Sequence, residues 1–110
     1  MCGIAGIIGQ SLEKRELIKK FLLTNNHRGP DSKGEYSDDY ISLGMNRLSI
    51  IDLENGDQPL TSEDGRYNLI FNGEIYNYKE IRNRLIDKYN FFTNTDTEVI
   101  LRGFQEYGIK

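Results

Sequence analysis

The 110-residue chain holds one cysteine, one histidine, two prolines and no tryptophan. A single thiol cannot form an internal disulfide, so a disulfide-stapled scaffold is excluded and a reducing, cytoplasmic compartment fits best. One imidazole beside one thiol is too poor a donor set for a zinc site. No apolar run nears the roughly 18 residues that a membrane span needs; the run Ile4 to Ile8 stops at Gly9 and Gln10. Met1-Cys2-Gly3-Ile4 lacks the basic start and longer apolar stretch of a secretory signal, so Met1 reads as the start of the gene product. Positive charge is also short. Against 17 Asp+Glu stand 14 Lys+Arg, a net charge of −3, which sets nucleic-acid binding aside.

What is present suffices for folding. Leu, Ile, Val and Phe make up about 27% of the chain, above the roughly 20% below which charged chains stay disordered. A chain of this length buries only about two-thirds of its unfolded surface. The core should be thin, and the chain reads as one small domain or a piece of a larger one.

Small and β-branched residues from Cys2 to Ile8 predict a buried strand. Leu12, Leu17, Ile18, Phe21 and Leu22 recur at helical spacing up to Asn25, with Ser11 as the cap and Lys14 where a capping box would hold Glu. His27 to Gly34 reads as a loop. Tyr36, Tyr40 to Asn46 and Leu48 to Leu53 read as short strands. Asn55-Gly56-Asp57 is a turn that Gln58-Pro59-Leu60 leaves in extended form. Glu63 to Arg66 predicts a hairpin into a strand over Tyr67 to Phe71. One helix is expected over Tyr78 to Tyr89, capped by Asn77, with Ile81, Leu85 and Ile86 on its apolar face. Another runs from Asp96 to Tyr107, capped by Thr95 or Asp96, with Val99, Ile100, Phe104 and Tyr107 inward. Strands and helices intermixed with antiparallel hairpins give an α+β class.

Cys2 is the first residue with reactive chemistry. If Met1 is removed, its thiol lies beside a free α-amine basic enough near neutral pH to take the thiol proton, so nucleophile and base are one residue. The alternative is a small buried hydrophobe. His27 either pairs with Cys2 or fixes the loop that continues through Arg28-Gly29-Pro30-Asp31. Gly3, Gly6 and Gly9 do not form a phosphate loop, because no Lys-Ser or Lys-Thr follows them. Asn72-Gly73 offers a side-chain and a backbone N–H for an oxyanion hole, or makes an ordinary turn. Arg47 either clamps a carboxylate with its planar fork or forms a surface salt bridge. Asp96 is a helix cap or a ligand.

Six motifs occur in order: Met-Cys-Gly-Ile-Ala-Gly at 1–6, His-Arg-Gly-Pro-Asp at 27–31, Asn-Arg-Leu-Ser-Ile-Ile-Asp at 46–52, Gln-Pro-Leu at 58–60, Phe-Asn-Gly-Glu-Ile-Tyr-Asn at 71–77 and Thr-Asp-Thr-Glu-Val-Ile-Leu at 95–101. In this the chain resembles the glutamine-hydrolysing domain of the asparagine synthetases. The resemblance implies a class II glutamine amidotransferase with an N-terminal-nucleophile hydrolase sandwich, two antiparallel sheets between helices, of which residues 1–110 supply about the first half. It implies Cys2 as nucleophile and Asn72 with Gly73 as oxyanion donors. Glutamine would be held by Arg47, Leu48, Ser49, Ile50, Ile51, Asn72, Gly73, Glu74 and Asp96. The implied partners are glutamine, a C-terminal synthetase domain absent from this chain and, in the intact protein, a second copy. ATP and magnesium belong to that synthetase domain and not to this chain. Two other readings stay open: an inactive truncated fragment, and a glutaminase serving another acceptor, such as a surface-polysaccharide carboxylate.

Overall fold

A computed structural model describes residues 2–48 and 56–109. In chain order it holds β1 (Gly3–Ile8), α1 (Lys14–Thr24), a 3-10 turn (Asn26–Arg28), β2 (Ser32–Ser37), β3 (Ile41–Arg47), β4 (Leu60–Thr61), β5 (Asn68–Leu69), α2 (Tyr78–Leu85) and α3 (Asp96–Tyr107). The described residues are α+β, with two antiparallel sheets and three α-helices.

The larger sheet has the order β1-β3-β2. Gly3 faces Asn46 and Ile8 faces Ile41, while on the other edge of β3 Ser32 faces Arg47 and Ser37 faces Ser42. The β2–β3 turn is closed by Asp38, whose Oδ1 accepts from the backbone N–H groups of Tyr40 and Ile41 at 2.8 Å each. Those two bonds hold the Asp38 carboxyl below its ordinary range. The loop read over His27 to Gly34 ends earlier than expected, because Ser32 to Gly34 join the ladder of β3. A neighbouring strand supplies hydrogen-bond partners that override a Gly- and Ser-rich composition.

Helix α1 packs on this sheet through Lys14, Ile18 and Leu22, a stripe of i, i+4 and i+8. The wider apolar face read from the sequence is corrected here. Leu12 precedes the first turn and is 94% exposed, and Leu17 is half exposed. The stripe is narrow because the helix rests on Gly44, where an added Cβ would come within 2.7 Å of Ile18 Cγ2. The cap is Glu13 and not Ser11, whose Oγ instead accepts from Glu13 N at 3.1 Å in the turn before the helix.

Most of the strand read over Leu48 to Leu53, and Asn55 of the expected turn, lie outside the described residues; Leu48 itself has left the strand. Gln58–Pro59 is a bend with a cis peptide bond, not an extended lead-out. The Gln58 side chain is drawn inward there and is buried. The strand expected over Tyr67 to Phe71 shortens to Asn68–Leu69, since Phe71 N donates to Gln58 Oε1 and not to a ladder. Helix α2 stops at Leu85, and Lys88 N and Tyr89 N close a turn on Leu85 O.

Helix α3 begins as expected, with Thr95 Oγ1 accepting from Glu98 N. Its buried face differs. Val99 and Leu101 are buried, but so are Glu98 and Arg102, both 0% exposed, while Phe104 is 38% and Tyr107 60% exposed. A hydrophobic pattern cannot place two charges in the core; their mutual pairing does.

Two glycines make a paired prediction. A Cβ at Gly34 would collide with the Gln58 backbone carbonyl, whereas one at Gly103, inside α3, would meet nothing within 4 Å. Gly34→Ala should destabilise by about 1–3 kcal/mol or more through overpacking. Gly103→Ala should stabilise by about 0.5–1 kcal/mol by removing helix-interior glycine. Urea unfolding of both variants reads the difference; shifts in the same direction would contradict it.

Candidate active site

The strand ends and the start of α3 converge on an open cavity of about 350 Å³. Cys2 enters it from just before β1, Arg47 and Leu48 from the end of β3, Gly56 and Gln58 from the loop beyond, Phe71 to Glu74 and Tyr76 from the exit of β5, and Thr95 to Thr97 from the start of α3.

The Cys2 side chain is half-buried and held at its sulfur. Its Sγ accepts from Leu48 N at 3.3 Å and lies 3.7 Å from Leu48 O. Asn72 approaches Cys2 from the other segment, Nδ2 donating to the Cys2 carbonyl at 3.0 Å. An asparagine amide carries two N–H groups, so this bond uses one and leaves a second. Gly73 is shaped by a close neighbour, since a Cβ there would come within 2.8 Å of the Phe71 ring.

Arg47 is buried, its side chain 7% exposed, with Nη1 3.3 Å from Asp57 Oδ1. The partner carboxylate is 67% exposed, so the pair differs both from a surface salt bridge and from an isolated clamp. Gly56 is fitted against the guanidinium, where an added Cβ would collide with Nη2. Asp96 is the first residue of α3 and not its cap, which is Thr95. Its Oδ2 accepts from Ile75 N at 2.9 Å, fastening the segment after Asn72-Gly73 to α3. A buried guanidinium and a buried carboxylate in one cavity suit a zwitterion with a carboxylate at one end and an ammonium at the other.

A charged cluster behind the cavity fixes Thr95 and Asp96. Glu98 Oε1 accepts from Phe92 N and from Arg102 Nε and Nη2, and Oε2 accepts from Thr93 N and Thr93 Oγ1. Thr93 Oγ1 lies 2.8 Å from Thr95 Oγ1 and accepts from Thr95 N. A chain of hydrogen bonds thus runs from the core to the residue before Asp96.

Of the residues singled out in the sequence, Cys2, Arg47, Leu48, Asn72, Gly73, Glu74 and Asp96 share this cavity. Ser49, Ile50 and Ile51 lie outside the described residues. His27 is exposed in the 3-10 turn and does not line the cavity. Sequence reasoning assigned no site role to Gly56, Gln58, Phe71, Tyr76, Thr95 or Thr97, although all but Gly56 fall inside the quoted motifs. Among the described residues no group of three His, Cys, Asp or Glu could hold a metal ion, and no helix is long and apolar enough to cross a membrane.

The glutamine amidotransferase domain family matches residues 1–110 of the chain. The chain belongs to that family. Among curated proteins, it is 49% identical over 113 residues to asparagine synthetase [glutamine-hydrolyzing] 1 of Bacillus subtilis, covering 97% of this chain and 18% of that protein. It is 42% identical to asparagine synthetase B [glutamine-hydrolyzing] of Escherichia coli, covering 98% and 20%, and 41% identical to asparagine synthetase [glutamine-hydrolyzing] 1 of Arabidopsis thaliana, covering 99% and 19%. The resemblance read from the motifs is therefore correct, and the chain belongs to an enzyme of the glutamine amidotransferase type. It spans about a fifth or less of the length of these relatives.

Proposed function

We propose that this chain is the glutamine-hydrolysing part of an asparagine-forming enzyme, a partial domain of the N-terminal-nucleophile hydrolase fold whose reactive group is Cys2. With Met1 removed, the Cys2 α-amine takes the thiol proton, and the thiolate attacks the side-chain amide carbon of glutamine. The oxyanion that forms is met by Asn72 Nδ2–H and Gly73 N–H. Collapse of this intermediate breaks the C–N bond, and the departing nitrogen takes the proton back and leaves as ammonia. Water then hydrolyses the glutamyl thioester, releasing glutamate and restoring the thiol. Arg47 pairs the glutamine α-carboxylate, and Asp96 with the Glu74 segment receives the α-ammonium. The ammonia serves ATP-dependent amidation of aspartate by a synthetase domain outside this chain, and ATP and magnesium belong there.

The observation that carries this reading is the meeting of Cys2, Arg47, Asn72, Gly73 and Asp96, far apart in sequence, in a single cavity. The direct test compares the protein with and without Met1. The Met1-free form should release glutamate and ammonia from glutamine in equal amounts, and the form retaining Met1 should release neither. Equal activity in both would remove the α-amine from the mechanism.

Arg47→Lys keeps the charge but loses the planar fork. Losing such a bond in a desolvated site costs about 2 kcal/mol, so half-saturation for glutamine should rise roughly thirtyfold, with turnover much less affected. Steady-state kinetics decide, and unchanged saturation would return Arg47 to a structural role that includes its pairing with Asp57.

A further inference from the structure

We propose that Gln58 is a positioning residue for the oxyanion donors, a role that rests on the glutaminase reading above. Gln58 is 8% exposed, and it is a two-ended strut. Its Oε1 accepts from Phe71 N at 2.6 Å, the residue directly before Asn72-Gly73. Its Nε2 donates to Thr97 Oγ1 at 3.3 Å, one residue after Asp96. Its backbone carbonyl abuts Gly34 of β2 so closely that no side chain fits between them. One residue thus links the larger sheet, through its backbone, to the segment bearing the oxyanion donors and the start of α3, through its side-chain amide.

The Phe71–Gly73 segment is irregular chain with a bend at Gly73, beyond a two-residue strand, so the sheet itself does little to hold it. Besides Gln58, the side-chain bonds that fasten this stretch among the described residues are Asn72 to the Cys2 carbonyl and Asp96 to Ile75 N. Both of those involve groups that must also face glutamine. Gln58 is the tie to which no contact with glutamine has been assigned, and it acts on the Ile70–Phe71 peptide, one residue before Asn72. Loosening it displaces the donors relative to Cys2 while leaving Arg47 and Asp96 in place. A misplacement of about 1 Å at a reacting centre can cost about a hundredfold in rate. The loss should therefore appear in turnover, which depends on the oxyanion, and not in glutamine saturation.

The test is carried out on the full-length protein with glutamine as substrate, measuring kcat, KM and melting temperature for Gln58→Leu, Thr97→Val and Thr97→Ser. Gln58→Leu should lower kcat about tenfold to a hundredfold with KM within about twofold of the parent. Thr97→Val removes only one end of the strut and should shift kcat the same way by less, and Thr97→Ser, which retains the hydroxyl, should recover it. A lower melting temperature with parental kcat per folded molecule would overturn the proposal, as would a raised KM at parental kcat. If Gln58→Leu does not fold, the Thr97 pair decides alone: a kcat difference between Val and Ser supports the strut, and no difference overturns it. A parent protein that hydrolyses no glutamine would overturn the glutaminase reading itself, an outcome distinguishable because it precedes any variant.

Discussion

Cys2→Ala should reduce glutamine hydrolysis to below about a thousandth of the parental rate, because removing the atom that forms the covalent bond leaves only binding and electrostatic catalysis. Ammonia-dependent synthesis by the full-length enzyme should continue, since ammonia supplied from solution bypasses the thiol. Stability should hardly change. Among the described residues the Sγ makes weak contacts with Leu48 N and O alone, and the half-buried side chain leaves no large void when shortened. Cys2→Ser keeps the N-terminal amine and a hydroxyl but lacks the thiol's nucleophilicity, so little activity should survive. Glutamate release by Cys2→Ala at the parental rate would end the nucleophile assignment, and a collapsed melting temperature would mean that the thiol is chiefly a packing group.

The sequence pattern served best where local chemistry decides the outcome. The Thr95 cap, the start and end of α3 and the glycine-closed strand Gly3–Ile8 all follow from capping, spacing and punctuation; the burial expected for that strand does not, since it lies at an edge of its sheet with Ile4 42% and Ile8 85% exposed. It failed where a neighbour decides. Leu12 and Leu17 fit the helical period of α1, yet the inward stripe is Lys14, Ile18 and Leu22, because Gly44 on β3 sets where the helix can approach. Ser32 to Gly34 look like loop and become strand because β3 offers them partners. The site was legible as a set of motifs and not as a geometry. No local property of Arg47, Asn72 or Asp96 shows that they meet Cys2. Gln58, read from the proline after it as an extended connector, turns its amide inward to bond both Phe71 and Thr97.

The Glu98–Arg102 pair was invisible to hydrophobic periodicity, and it should dominate stability. Both side chains are 0% exposed and their charges lie 3.0 Å apart. Removing one partner of such a pair strands the other, at a cost of about 3–5 kcal/mol. The two halves are not equivalent. Arg102 has further acceptors, with Nη1 donating to Glu63 Oε2 and Gln105 Oε1 and Nη2 donating to Asn90 O, and its guanidinium lies 5.1 Å from the Phe92 ring centroid. Without Glu98, however, Phe92 N, Thr93 N and Arg102 Nε all lose their carboxylate acceptor. Each buried donor left unmade costs about 1–3 kcal/mol. Glu98→Ala should therefore fall in or above the 3–5 kcal/mol range. Arg102→Met should cost less, about 2–3 kcal/mol, because three donors still satisfy the Glu98 carboxylate and methionine refills the volume. Arg102 also holds the Glu63 carboxyl below its ordinary range. That contribution is present above the unfolded carboxylate range, is lost as pH falls through the lowered value, and should be missing in Arg102→Met. Denaturant unfolding of both variants at neutral and acid pH measures all of this. An Arg102→Met protein as unstable as Glu98→Ala would show that the ion pair matters more than the backbone donors that Glu98 gathers around Thr93, and the hydrogen-bonded route from the core to Asp96 would lose its main support.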